Sequence, residues 1–254
     1  MNVKNKLNII LYFIISIFLL SCSKKANNSI VIFASDSLKS PLSDIVNNYE
    51  SETGKKVEVS FNSSGKLAEK IESEFYTDLY ISSSIKEIDK LKDKNLLYND
   101  TIKNILKNKI VLIIRKNSGK DISSFLDLAN NSIRQIAVGE SMTSPIGYYT
   151  EEILHDLGIY NLVADKIIYA KSTREIVDLV EKINNLVDCG IVYKTSDMHN
   201  NNIEIVAEDD TEVIYGIAVA KNSSKKQEAM DFINYLYSEK SITVLTYYGF
   251  DVIK

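Results

Sequence analysis

The sequence predicts an α/β protein of two lobes, each a mostly parallel sheet flanked by helices, the two joined by a pair of crossover strands. Three observations carry it. Short β-rich apolar runs alternate with amphipathic helical stretches along most of the chain, the rhythm of a parallel sheet with helices on its faces. Two longer strands, in residues 108–118 and 213–223, interrupt that rhythm and divide it in two. The chain has 254 residues, 45% of them hydrophobic, enough for one large core or two modest ones.

The elements follow in order. SIVIFA (29–34) reads as a strand, with a helix near Leu38–Thr53 that ends at Gly54, where a left-handed C-cap fits. KVEVSFN (56–62) is a strand followed by a helix near Lys66–Glu74, and TDLYISS (77–83) a strand followed by helical IKEIDKLKDKN. After the long strand at 108–118 come RQIAVGE, a helix from about Gly147, DKIIYAKS, a helix from about Thr173, and CGIVYKTSD. The second long strand, VIYGIAVAKNS, leads to a terminal amphipathic helix, KQEAMDFINYLYSEK, expected to return to the first lobe. The lobes are expected at 30–112 with 220–254, and at 113–219.

Residues 1–22 stand apart. MNVKNK is a short positive end and LNIILYFIISIFLL an apolar run that stops at Ser21-Cys22, too short and too abruptly ended for a membrane span. This is a signal peptide, and Leu19-Leu20-Ser21-Cys22 resembles a bacterial lipobox, in which Cys22 is lipidated and becomes the new N-terminus. Acylation there gives the two or more chains that stable anchoring needs. Residues 23–29 are then a polar tether, and the protein works outside the cytoplasmic membrane.

The composition excludes several classes. With 30 Lys+Arg scattered among 34 Asp+Glu and a net charge of −4, no lobe is basic enough to bind nucleic acid. Cys189 has no second Cys in the mature chain to pair with and no Cys or His at metal-ligand spacing, so it reads as a small buried hydrophobe. His155 and His199 lie in polar surroundings and read as surface residues. Ser63-x-x-Lys66, Ser35-Asp36-Ser37 and Lys194-Thr195-Ser196 approximate the three elements of a serine acyltransferase. The second element precedes the first, however, and two of the three miss their final residue.

The informative residues are at strand-to-helix junctions: Ser35–Ser37, Ser63-Ser64-Gly65, Ser144-Pro145-Ile146-Gly147 and Ser172-Thr173. In open α/β sheets ligands lie beyond the carboxyl ends of strands, where helix N-termini offer unpaired N–H groups and the positive end of the dipole. Small hydroxyls there donate hydrogen bonds without adding charge, and Gly65 and Gly147 leave room for close approach. Ser and Thr are also ordinary N-caps, and Ser172-Thr173-Arg174-Glu175 has the form of a capping box. The physics reaches as far as an oxyanion binder.

IFASDSLKSPLSDI, FNSSGKLAEKIE, TDLYISSS, SPIGYYTEEIL, GIVYKTSD and the terminal YYGFDVIK occur in the order seen in a known family. Across Ile30–Lys254 the chain resembles the molybdate-binding components of molybdate ABC transporters. That resemblance implies a two-lobed periplasmic-binding-protein-like fold and a non-enzymatic, monomeric capture protein without cofactor. It would bind molybdate or tungstate as the oxyanion, close like a hinge and deliver to a permease. It also implies the ligand set: the hydroxyls of Ser37 and Ser64, backbone N–H groups at Ile146 and Thr173, and the Tyr193 hydroxyl. Sulfate and phosphate are the alternative ligands on the same architecture. Asp36 departs from the family, which has a small residue there. Strand alternation is expected to turn it away from Ser35 and Ser37, toward solvent or a capping role. Ile146 and Thr173 also depart from the common choices, which a backbone donor tolerates. Pro41 sets the helix start at about Ser37 or slightly later.

Overall fold

The computed structural model describes residues 29–182, 187–196 and 201–253. The signal segment, Cys22, tether residues 23–28 and His199 lie outside them. Ser29, read both as the end of the tether and as the start of the first strand, is the first residue of β1.

Two parallel groups of strands form the fold. In the first, β1 (Ser29–Ser35) lies between β2 (Lys56–Asn62) and β3 (Leu79–Ser82). In the second, β5 (Ile136–Gly139) lies between β6 (Ile167–Ala170) and β7 (Cys189–Tyr193). β4 (Lys103–Arg115) and β8 (Ile203–Val219) run between them. These two strands pair antiparallel with each other from Lys103↔Ile217 to Arg115↔Ile203. β8 also pairs antiparallel with β3, and β4 with β7. The crossover strands therefore do more than connect: they fuse both groups into one sheet of order β2-β1-β3-β8-β4-β7-β5-β6, with β9 (Asp251–Val252) on β4. Register shifts between Asn104 and Leu106, Lys109 and Ile110, and Leu112 and Ile113 are bulges, which bend and twist a ladder.

Burial follows pairing. β3 and β5, flanked on both sides, are buried at every residue, whereas β2 on the edge alternates between exposed and half-buried positions. The helices cover the faces: α1 (Lys39–Thr53), α2 (Ser64–Glu72), α3 (Ile85–Asp93), α4 (Pro145–Asp156), α5 (Tyr160–Val163), α6 (Thr173–Glu181), α7 (Lys226–Leu236) and α8 (Glu239–Tyr247). α1 buries Leu42, Ile45 and Tyr49, spaced three and four apart so that they share one face. Burying each is worth about 1.5–3 kcal/mol. α1 ends as expected on Gly54, at φ 70°, whose N–H donates to the Glu50 carbonyl at 2.9 Å. The chain end does return to the first group, where Phe232 of α7 meets Tyr49 edge-on at 5.0 Å.

Three expectations are corrected. The second long strand begins at Ile203, not near 213, because its polar first half pairs with β4. The terminal helix is two helices, broken at Ser238, whose hydroxyl caps α8 by accepting the Ser241 N–H at 3.2 Å. Gly147 does not hold space for a ligand. A Cβ there would collide with the Gly139 carbonyl, so the glycine serves close packing of α4 on β5. Cys189 is buried as expected, and desolvation pushes its thiol up to about 12.

Candidate functional site

β1, β2, β3, β5 and β6 each hand over at their carboxyl ends to a helix or a helical turn, so the starts of α2, α3, α4 and α6 face a common region. A connected network of hydroxyls is found there. Ser37, in the 3-10 turn after β1, lies 3.0 Å from the Ser35 hydroxyl and 2.9 Å from the Tyr215 hydroxyl of β8. Ser35 Oγ donates to Ser83 Oγ at 3.1 Å. Ser64, the first residue of α2, accepts the Ser83 N–H at 3.0 Å and has its hydroxyl 3.2 Å from that of Ser83. Tyr193, the last residue of β7, donates its hydroxyl to Ser83 Oγ at 3.4 Å. The network continues through Asn108, whose Nδ2 donates to Tyr215 at 3.3 Å and to Thr195 Oγ1 at 2.8 Å.

Of the five sequence-derived ligand residues, Ser37, Ser64 and Tyr193 thus meet within one network although they come from three distant segments. Thr173, first residue of α6, lines the same cleft as Ser37, a space of about 700 Å³ also bordered by Thr195 and Tyr248. Ile146 is apart from the network: it lies in the first turn of α4, but its side chain is in the core and its carbonyl accepts the Thr150 hydroxyl at 2.7 Å. Its backbone N–H lies in the first turn, where the helix itself supplies no acceptor.

Sequence reasoning missed Ser83, the hub of the network, and Tyr215. Ser83 had a signal, since Ser82-Ser83-Ser84 is a strand-to-helix junction like the others. Tyr215 had none, being one aromatic inside a long strand. Burial pushes the Tyr193 and Tyr215 hydroxyls well above the ordinary tyrosine value, so both stay protonated and able to donate. The Ser63 hydroxyl is buried without a hydrogen-bond partner among the described residues. Polar groups left so are few in native structures.

Asp36 is a correction. It belongs to the 3-10 turn and not to the strand, so alternation does not apply, and it lines the cleft beside Ser37 and Thr173. Desolvation pushes its carboxyl up, opposed by the backbone N–H groups of Ser37, of Asp36 itself and of Thr173 in the second parallel group.

Other contacts join segments that follow the strands of the two parallel groups. A Cβ on Gly65 at the start of α2 would come within 3.1 Å of the Thr143 carbonyl, so glycine lets the two segments approach. Lys86 of α3 reaches Tyr148 and, at 3.5 Å, Glu152 of α4. Among the described residues no group of three His, Cys, Asp or Glu could hold a metal ion, and no helix is long and apolar enough to cross a membrane. His155 is exposed, stacked on Tyr160 at 4.2 Å.

A family model for bacterial extracellular solute-binding proteins matches residues 30–251. The chain belongs to this family. Its relatives include a Bacillus subtilis chain provisionally named ABC transporter substrate-binding lipoprotein YvgL, 31% identical over 227 residues covering 87% of this chain and 86% of that one. The molybdate-binding protein ModA of Escherichia coli is 30% identical over 233 residues, 88% of this chain and 89% of its own. Among solved structures, the periplasmic molybdate-binding protein of Azotobacter vinelandii superposes with a TM-score of 0.79 at 18% identity, over 89% of this chain and all of that one. The sulfate-binding protein SubI of Mycobacterium tuberculosis does so with 0.78 at 16%, over 89% and 88%. At such identities the superpositions establish the fold alone.

Proposed function

We propose that this solute-binding protein captures molybdate, and its near twin tungstate, outside the cytoplasmic membrane and delivers it to an ABC transporter permease. A lipid on Cys22 holds it at the membrane, and the two lobes close around the anion as a hinge. The observation that carries the reading is the convergence of the Ser37, Ser64 and Tyr193 hydroxyls on one network at the carboxyl ends of the strands. The ModA relatives and the residue-by-residue match to the molybdate-binding family support the choice of anion.

The chemistry favours it too. A fully deprotonated tetrahedral dianion needs donors only, and hydroxyls with backbone N–H groups supply them from both lobes. Inorganic phosphate near neutral pH always carries at least one proton, because its last ionisation lies far in the alkaline range. That proton needs an acceptor, and leaving it unpaired costs about 1–3 kcal/mol. Sulfate carries no proton and is rejected by size, since a smaller anion cannot reach donors fixed on two lobes. One observation favours a second reading, a protonated oxyanion such as phosphate: Asp36 faces the cleft and could accept that proton.

Thermal unfolding tests the proposal. Ligand at about a thousandfold over its dissociation constant stabilises by ~4 kcal/mol, roughly 10 °C for a chain of this size. Molybdate and tungstate should raise the melting temperature by that much, while millimolar sulfate and phosphate should not. A larger rise with phosphate than with molybdate selects the second reading. Cys22→Ala should move the protein from membranes to the soluble fraction, and its retention there would remove the anchor from the account.

A further inference from the structure

At the start of α6 a carboxylate sits against the candidate anion site. Asp36 comes from the turn after β1, that turn packs against α6, and both border the same cleft. The Thr173 N–H, expected to serve the ligand, is close enough to the Asp36 carboxyl to act on it. Its other neighbours do not neutralise it. Tyr193 and Tyr215 are close enough for its charge to act on them, and both are uncharged donors. Of the cations on the cleft wall, Arg174 pairs with Asp178 of its own helix at 2.9 Å, and Lys39 is exposed. A carboxylate oxygen and an oxyanion oxygen are equivalent acceptors for a helix N-terminus.

We propose that Asp36 is a tethered competitor: its carboxylate holds the N-terminus of α6 in the way a ligand oxygen would, and a dianion must displace it to close the site. The inference rests on the oxyanion reading above and sharpens it. Asp36 lowers affinity for every dianion and ties the two lobes together by itself. Burial pushes its carboxyl toward the protonated form, which fits a carboxylate held there at a cost.

The test is calorimetric titration of molybdate and tungstate into the full mature chain and three variants. Asp36→Asn and Asp36→Ser remove the charge, the second also the reach, and Asp36→Glu keeps the charge. The two neutral variants should bind molybdate at least tenfold more tightly than the parent, and Asp36→Glu should show no such gain. A damaged fold does not produce a gain in affinity, so unfolding cannot mimic the result. Equal or weaker molybdate binding by folded neutral variants, with the parent still binding, would overturn the competitor role and leave the molybdate reading standing. If the parent binds phosphate and Asp36→Asn abolishes it, Asp36 is a proton acceptor for the ligand and the inference fails in that direction. No molybdate or tungstate binding by any of the four proteins defeats the functional reading itself, and the inference with it.

Discussion

The Ser37 hydroxyl lies 2.9 Å from the Tyr215 hydroxyl, across a sequence separation of 178 residues. One is in the turn after the first strand and the other in the long strand that crosses between the two parallel groups. The contact ties the candidate anion donor to the element about which the lobes would hinge. Tyr215 is itself fixed by Phe250, edge-on at 5.4 Å, and by Asn108.

Tyr215→Phe therefore keeps the packing and removes only the orienting hydroxyl. A neutral hydrogen bond is worth about 0.5–1.5 kcal/mol net, so molybdate affinity should fall roughly two- to tenfold. The melting temperature without ligand should move by only a few degrees. An unchanged dissociation constant would show that Ser37 needs no orienting partner.

Ser83→Ala removes the hydroxyl on which Ser35, Ser64 and Tyr193 converge. Ser64 keeps the Ser83 N–H, but the Tyr193 hydroxyl loses its acceptor at Ser83 in a fully buried position. Isothermal titration should show roughly a tenfold or greater loss of affinity, corresponding to about 1.4 kcal/mol or more. Affinity equal to that of the parent would reduce Ser83 to a structural residue.

Gly147→Ala should be among the most damaging single changes in the chain. Its Cβ would meet the Gly139 carbonyl and lie 2.5 Å from the Glu140 carbonyl carbon, and backbone atoms cannot turn aside as a side chain can. Overpacking of this kind costs about 3 kcal/mol, or roughly 6–12 °C in melting temperature. A variant as stable as the parent would mean that α4 slides freely on β5.

Asp188 makes stability depend on pH. Burial pushes its carboxyl up, but Lys120 at 2.6 Å and the N–H groups of Arg134 and Gln135 outweigh that and hold it below the ordinary 3.8. A carboxyl depressed on folding adds stability that is fully present above the unfolded value and disappears as pH falls through the folded one. Asp188→Asn should unfold more easily than the parent at pH 7, with the gap narrowing below about pH 4. A gap independent of pH would exclude the charge as its source.

What the sequence determined by itself is local. The alternation of apolar runs and amphipathic stretches set the parallel strands and most helices, because burial of one face imposes a period of 2 or 3.6 on each segment. Gly54 as the end of α1 and Thr173 as the first residue of α6 follow from backbone chemistry that a few neighbouring residues specify. Residues 203–212 were not legible as strand. IEIVAEDDTE is mostly polar, and it becomes strand because β4 supplies its hydrogen bonds from about a hundred residues away. The same distance hid the anchor at Tyr215 and the direction of Asp36. A hydroxyl or carboxylate can pair with several kinds of partner, and only the tertiary structure decides which one lies within about 3 Å.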